Sequence, residues 1–174
     1  MSVYKIVTYP APILRIKARI VQSISASQRV FLINMAETMY DNKVAVGLAA
    51  EQVSLDEKLV VIDVCDKNGL IKLINPRIKE KKGETILMEE GCMSMPGISV
   101  VVPRAEKVKV EAKDERGRAI ILEADGFLAR VIQHEIDHLN GKLIIDYLSP
   151  AKKLLVESKY RVKKTFNKIG KGAK

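Results

Sequence analysis

Cysteine is scarce in this chain, and so is histidine: two residues of each among 174, with no tryptophan. Two cysteines, Cys65 and Cys92, make no disulfide framework, so a reducing cytoplasm or an equivalent organelle is the expected setting. No apolar run approaches the length that crosses a bilayer, and no membrane contact is expected. The stretch from Met1 to Leu14 lacks an apolar core followed by a small-residue cleavage site, so no secretory signal is expected. Internal repeats are missing, as is any linker long enough to separate one domain from another. Acid is nearly absent from the end of the chain. Between Ala151 and Lys174, Glu157 faces nine lysines and arginines, so that segment carries +8 of the net +9 and the body only +1. A polyanion would meet the protein there.

What is present, 47% apolar and 29% charged residues, describes a globular protein with enough chain for one proper core. Pro10 and Pro12 keep Val3 to Val21 out of regular helix. Ser25 with Gln28 reads as a capping box opening a helix, whose core stripe is Phe31, Met35 and Met39, with Leu32 and Ala36 beside it. Val44 to Val53 starts as a strand, and Gly47 in it permits close approach of a backbone or ligand. Further strands are expected over Leu59–Cys65, with Cys65 a buried structural thiol, and over Leu70–Ile74, broken by Asn75-Pro76. Lys79–Gly83 reads as a polar connection, Thr85–Met88 as a short strand and Glu89–Gly97 as a loop. Ile98–Val102, Glu106–Lys113 and Arg118–Glu123 follow as strands, the last two joined by a turn at Asp114–Gly117.

Asp125 then caps a helix that Gly141 ends. Within it lies His134-Glu135-Ile136-Asp137-His138, holding both histidines of the chain. Side chains four apart on a helix stand on one face, so the two imidazoles can reach one metal ion, with Glu135 beside it to take a proton from a bound water. A surface helix with a chance pair of histidines would show the same letters. On the helix projection Phe127, Val131, His134 and His138 share a face. Ala129, Gln133, Asp137 and Asn140 fall opposite, toward solvent or a polar shell behind the ligands. Leu143–Tyr147 reads as a strand, and Ser149-Pro150 opens a last helix with an apolar stripe at Leu155, Val162, Phe166 and Ile169.

Two histidines do not complete a catalytic metal site, which takes three protein ligands and leaves a position for water. The remaining donors are Cys92, Cys65, Asp146 and Glu157. The acids have no recognisable spacing, whereas Cys92 sits in a glycine-flanked segment free to point at an ion. On ligand chemistry alone, two imidazoles and a thiolate suggest zinc.

Three segments together resemble the peptide deformylase family: Val46-Gly47-Leu48-Ala49-Ala50-Glu51-Gln52, Glu90-Gly91-Cys92-Met93-Ser94, and Gln133-His134-Glu135-x-Asp137-His138-Leu139-x-Gly141. The opening Tyr9-Pro10-x-x-x-Leu14-Arg15 fits as well. The resemblance implies removal of the formyl group from the N-terminal methionine of new polypeptides. It implies Cys92, His134 and His138 as metal ligands, Glu135 as general acid and base, and Gln52 with the backbone N–H of Met93 as oxyanion donors. It implies Fe2+ as the native metal, with Zn2+, Ni2+ or Co2+ able to substitute, and hence sensitivity to oxygen. Val46, Gly47, Glu90 and Gly91 would flank an extended peptide; Phe127 and Val131, on the histidine face of the helix projection, would either wall an apolar pocket or pack the core. Three positions depart from the family pattern: Ala45 where glycine is normal, Glu51 where proline is common, and Met93 where leucine is common. The expected architecture is α+β: antiparallel or mixed sheets around a central metal-binding helix, with an N-terminal and a C-terminal helix. Residues 1–148 would form the catalytic unit and 149–174 a basic amphipathic tail, read either as a solvated face or as a dock for ribosomal RNA. Two rivals share some of this pattern: a zinc endopeptidase, and an RNA-binding protein whose metal is only structural.

Overall fold

The computed structural model describes the backbone of residues 2–171 and the side chains of residues 2–160. It is an α+β fold: three helices, α1 (Ala26–Asp41), α2 (Gly126–His138) and α3 (Pro150–Lys171), with one antiparallel sheet. The strands run in sheet order β1 (Gly47–Ala49), β2 (Leu59–Ile62), β3 (Ile71–Gly91), β4 (Ser99–Lys113) and β5 (Ala119–Asp125).

Strand β2 shows why this sheet has helices on both faces. Alternate residues of a strand point to opposite sides, and here all four are buried. Val60 and Ile62 join the cluster containing Ala129, Ile132 and Ile136 of α2 and Leu139 just after it. Leu59 and Val61 join the cluster with Leu32, Met35 and Met39 of α1. The expected stripe of α1 is therefore its core face, and the Ser25–Gln28 capping box is formed. A third cluster gathers Tyr9, Leu14, Met95, Val102 and Ile145 with Tyr160 of α3.

Several expected breaks are bends in continuous strands. β3 runs unbroken through Asn75-Pro76 and through the supposed polar connection, then includes Glu89, Glu90 and Gly91 of the supposed loop. It bends at three register shifts, one of them between Ile74 and Arg77. A shift of this kind leaves a residue outside the ladder, so the missing N–H of Pro76 costs no sheet hydrogen bond. Asn75 takes a left-handed backbone (φ 54°), and its side chain bonds both the N–H and the C=O of Val21, each at 2.9 Å. β4 likewise runs through Pro103, in a stretch that pairs only with β3, because β5 pairs from Lys107 onward.

Four local expectations are corrected. Leu143–Tyr147 is no strand: Ile144–Tyr147 is a 3₁₀ turn held by Asp146, which accepts the Leu143 N–H at 2.8 Å. Cys65 is exposed and left-handed (φ 58°), because β2 ends at Ile62. Asp125 occupies the N-cap of α2 without a side-chain capping bond. On α3, Leu155 is exposed while Val156 and Tyr160 face the body; the side chains of Val162, Phe166 and Ile169 lie outside the described residues. Among the described residues no helix is long and apolar enough to cross a membrane.

Candidate metal centre and active site

Helix α2 lies against the sheet and delivers His134 and His138 from consecutive turns of one face. Its far face is turned to solvent at Asn140 and away from it at Ala129 and Gln133. Ala129 and Gln133 are buried, and the Gln133 amide accepts the Ala105 N–H at 3.1 Å and donates to the Ala105 C=O at 2.9 Å. Gln133 thus completes an edge of β4 that β5 does not reach, and fixes the rotation of α2 about its axis. Asp137 fulfils the polar-shell expectation, bonding Arg104 at 2.5 Å and the Tyr147 hydroxyl at 2.7 Å.

The end of β3 and the turn after it bring in sulfur. Cys92 Sγ, His134 and His138 place one donor atom each so that all lie within 4.8 Å of one another. Sγ is 3.2 Å from His138 Nε2. His134 Nδ1 is engaged with Glu90 Oε2 at 3.0 Å, which leaves its Nε2 for the site. Burial opposes ionisation of Cys92, yet the neighbouring His138 and His134 hold its thiol well below the ordinary value. A thiolate with two imidazoles is a donor set suited to one divalent ion, and these three residues fit it.

Behind the ligands lies a charged clamp that no sequence motif announces. Glu90 is paired with Arg104 through two bonds of 2.9 Å and with Arg130 at 2.7 Å, and all three are buried. Burial would raise the Glu90 carboxyl, but the bonds from Arg104 and His134 outweigh it and bring it down to about 2. An ionised Glu90 therefore holds the His134 ring in place. Arg130 stands one turn before His134, so its place on α2 was readable. Arg104 was hidden in the supposed gap between two strands.

Gln52 sits on a 3₁₀ turn (Ala50–Val53) after β1. Its Oε1 accepts the Ala49 N–H at 2.9 Å, so its Nε2 is the end facing Ser94 Oγ at 3.2 Å and Cys92 Sγ at 3.6 Å. The N-terminal segment fastens both neighbouring turns: Val7 N–H donates to Gln52 C=O at 2.7 Å and Tyr9 N–H to Ser94 C=O at 2.8 Å. Glu135 is buried beside Gly47, where a Cβ would lie 2.5 Å from its Oε1. Burial pushes the Glu135 carboxyl up, against the pull of His134 and His138.

These groups surround a cavity of about 600 Å³. Val46 and Gly47 line it at the start of β1, and Glu90, Gly91, Cys92 and Met93 line it from the end of β3 and the turn after it. Phe127, Val131, His134, Glu135 and Gln52 also line it, so of the residues the family resemblance assigns to catalysis, metal and substrate only His138 is not part of the lining. Phe127 is half-exposed at the rim and Val131 buried. Ala45 lines the cavity as well. Glu51 does not: it is fully buried.

A three-donor ion site open to a cavity, with a buried carboxylate at its side, defines a metal-dependent hydrolase. Comparison with known proteins narrows the class. The polypeptide deformylase family model matches residues 3–154. A peptide deformylase of Thermodesulfovibrio yellowstonii is 44% identical over 167 residues, covering 94% of this chain and all of that protein. A crystal structure of a peptide deformylase from Legionella pneumophila superposes with a TM-score of 0.87 at 40% identity, over 95% of this chain and 98% of that one. One from Ehrlichia chaffeensis, in complex with actinonin, gives 0.88 at 36% identity, over 94% and 98%. The chain belongs to the polypeptide deformylase family. Its activity is the metal-dependent removal of the formyl group from the N-terminal methionine of newly synthesised polypeptides.

Proposed function

We propose that deformylation runs on the following division of labour, with Fe2+ as the resident metal and Zn2+, Ni2+ or Co2+ as substitutes. A divalent cation held by Cys92, His134 and His138 supplies Lewis acidity and brings the ionisation of water into the neutral range. Glu135 accepts the proton of the attacking water and passes it to the departing amine. Its burial, which raises the carboxyl, suits a group that must both take and give a proton. Negative charge gathers on the former formyl oxygen as the carbon becomes tetrahedral. The Gln52 Nε2 end and the Met93 N–H are the donors for it, and such donors contribute most in the transition state. Formate leaves and a free amine remains.

The substrate is an N-formylmethionyl chain lying extended between Val46-Gly47 and Glu90-Gly91, bonded as an added strand on the open edge of β1. The methionine side chain packs toward Phe127 and Val131. Residues 1–148 act as the catalytic unit and 149–174 as a basic appendage, in a cytoplasm of bacterial type where formylated chains are made. The observation that carries this reading is the convergence of Cys92, His134 and His138 with Glu135 at one cavity. Anaerobic purification with metal analysis, and formate release from formyl-Met-Ala-Ser on the same sample, test it. Turnover of an acetylated analogue or cleavage inside a protein substrate would favour the endopeptidase instead.

The charge of the tail supports docking on ribosomal RNA, where formylated chains emerge. Ending the chain at Tyr160 keeps the packed turns of α3 and removes six of the nine basic residues. That variant should deformylate short peptides normally and lose ribosome co-sedimentation. Undiminished co-sedimentation would reject the docking.

A further inference from the structure

Among the described residues three buried polar groups have no hydrogen-bond partner: His138 Nδ1, the Oε2 of Glu135, and the whole carboxylate of Glu51, both oxygens included. Glu135 has its own work at the cavity it lines, whereas Glu51 lines no part of it. Glu51 is fully buried and His138 nearly so. Buried polar groups in native proteins are almost always satisfied, and a buried carboxylate without any partner is rare. Once His138 Nε2 is committed to an ion, its Nδ1 must carry a proton and needs an acceptor. Burial pushes the Glu51 carboxyl up to about 7, opposed first by its own backbone amide and then by the nearby charge of His138. His134 already shows the complementary arrangement, with its Nδ1 on the Glu90 carboxylate at 3.0 Å. The contact is missing only for the second imidazole.

We propose that Glu51 is the acceptor for the Nδ1–H of His138, directly or across one buried water, and so orients the second metal-binding ring as Glu90 orients the first. This rests on the reading of Cys92, His134 and His138 as the ligands. Glu51 is then a positioning residue, acting on the ion through His138 rather than on substrate. A bridging water there would have three polar partners, the two Glu51 oxygens and His138 Nδ1, which is the number such sites require. Carboxylate, protonated carboxyl and carboxamide all offer an oxygen acceptor, whereas an aliphatic side chain offers none.

The test uses the full chain loaded with Zn2+, which is diamagnetic, and the variants Glu51→Gln and Glu51→Leu. Proton NMR with ¹⁵N-labelled histidine follows the imidazole Nδ1–H signals, and chelator competition follows Zn2+ affinity. Wild type should show two slowly exchanging Nδ1–H signals. Glu51→Gln should keep both, with Zn2+ affinity near wild type. Glu51→Leu should lose the His138 signal alone and bind Zn2+ roughly 10- to 100-fold more weakly. A Glu51→Leu protein retaining both signals and full affinity overturns the proposal. So does a wild-type His138 Nδ1–H that exchanges freely, which keeps the idea falsifiable even if the leucine variant does not fold. Failure of the wild type to bind Zn2+ through Cys92, His134 and His138 would instead sink the ligand assignment itself.

Discussion

Gly47 is the point where the backbone of β1 comes closest to the reacting groups, and the space is already filled by Glu135. An alanine methyl there would press on the Glu135 side chain, at 2.5 Å from Oε1 and 2.9 Å from Cδ, so the carboxylate would have to move. The fold would tolerate this, but the carboxylate would leave its working position. Gly47→Ala should therefore melt close to wild type and keep its metal. Its kcat should fall on the order of 100-fold, as expected when a catalytic group is misplaced by about an ångström. Glu135 and Cys92 are told apart by a different pair of measurements. Glu135→Gln keeps the ligand set and removes the proton carrier, so metal content should stay at one ion per chain while kcat falls about 100- to 10,000-fold. Cys92→Ala removes a ligand, and metal analysis should find the ion itself lost. Equal metal loss in both variants would place Glu135 among the ligands and refute its role as a proton carrier.

At the scale of elements, the helices were easier to read than the strands. α1 announced itself through its cap and period, and α2 through its period and glycine stop, all of them local. The sheet was split into too many pieces because Asn75, Pro76, Gly83 and Pro103 carry the usual marks of chain breaks. In the fold they are accommodated by bulges and an uncovered edge, which depend on partners distant in sequence. The site followed the same division. Cys92, His134, Glu135, His138 and Gln52 were visible as motifs, while Arg104 and the partnerless Glu51 became meaningful only once the elements were packed. The stop of α2 shows what a local signal can settle. Gly141 is left-handed (φ +70°), its N–H bonds His138 C=O at 2.8 Å and the Lys142 N–H bonds Asp137 C=O at 2.9 Å. A Cβ there would lie 2.5 Å from the Arg15 carbonyl oxygen, which is backbone and cannot swing away. Gly141→Ala should cost roughly 1–3 kcal/mol in denaturant unfolding. An unchanged midpoint would show that the Arg15 segment shifts freely.

For the whole molecule, Asp146 ties together segments far apart in sequence. It pairs with Arg15 from the N-terminal stretch, accepts the Leu143 N–H, and pairs with Lys153 of α3 at 2.5 Å. Tyr9 and Glu157 make a second tie between the same segments at 2.7 Å, so the first turns of α3 are fastened to the N-terminal stretch. Burial opposes ionisation of Asp146, but the Leu143 N–H, Lys153 and Arg15 together hold its carboxyl below the usual value. A carboxyl depressed in the folded state binds its proton more weakly than in the unfolded chain. Its contribution to stability is therefore complete above the ordinary carboxylate range, and fades as pH falls through that range toward the lowered folded value. Asp146→Asn should melt at a lower temperature than wild type at pH 7. The gap should narrow as the pH is lowered through the carboxylate range, because wild type alone loses the ionised contact. The comparison is best made on metal-free protein, since acid also strips the ion from Cys92, His134 and His138 and would add its own slope. A gap that stays constant with pH would mean that Asp146 holds the termini to the core by packing and neutral hydrogen bonds, without help from its charge.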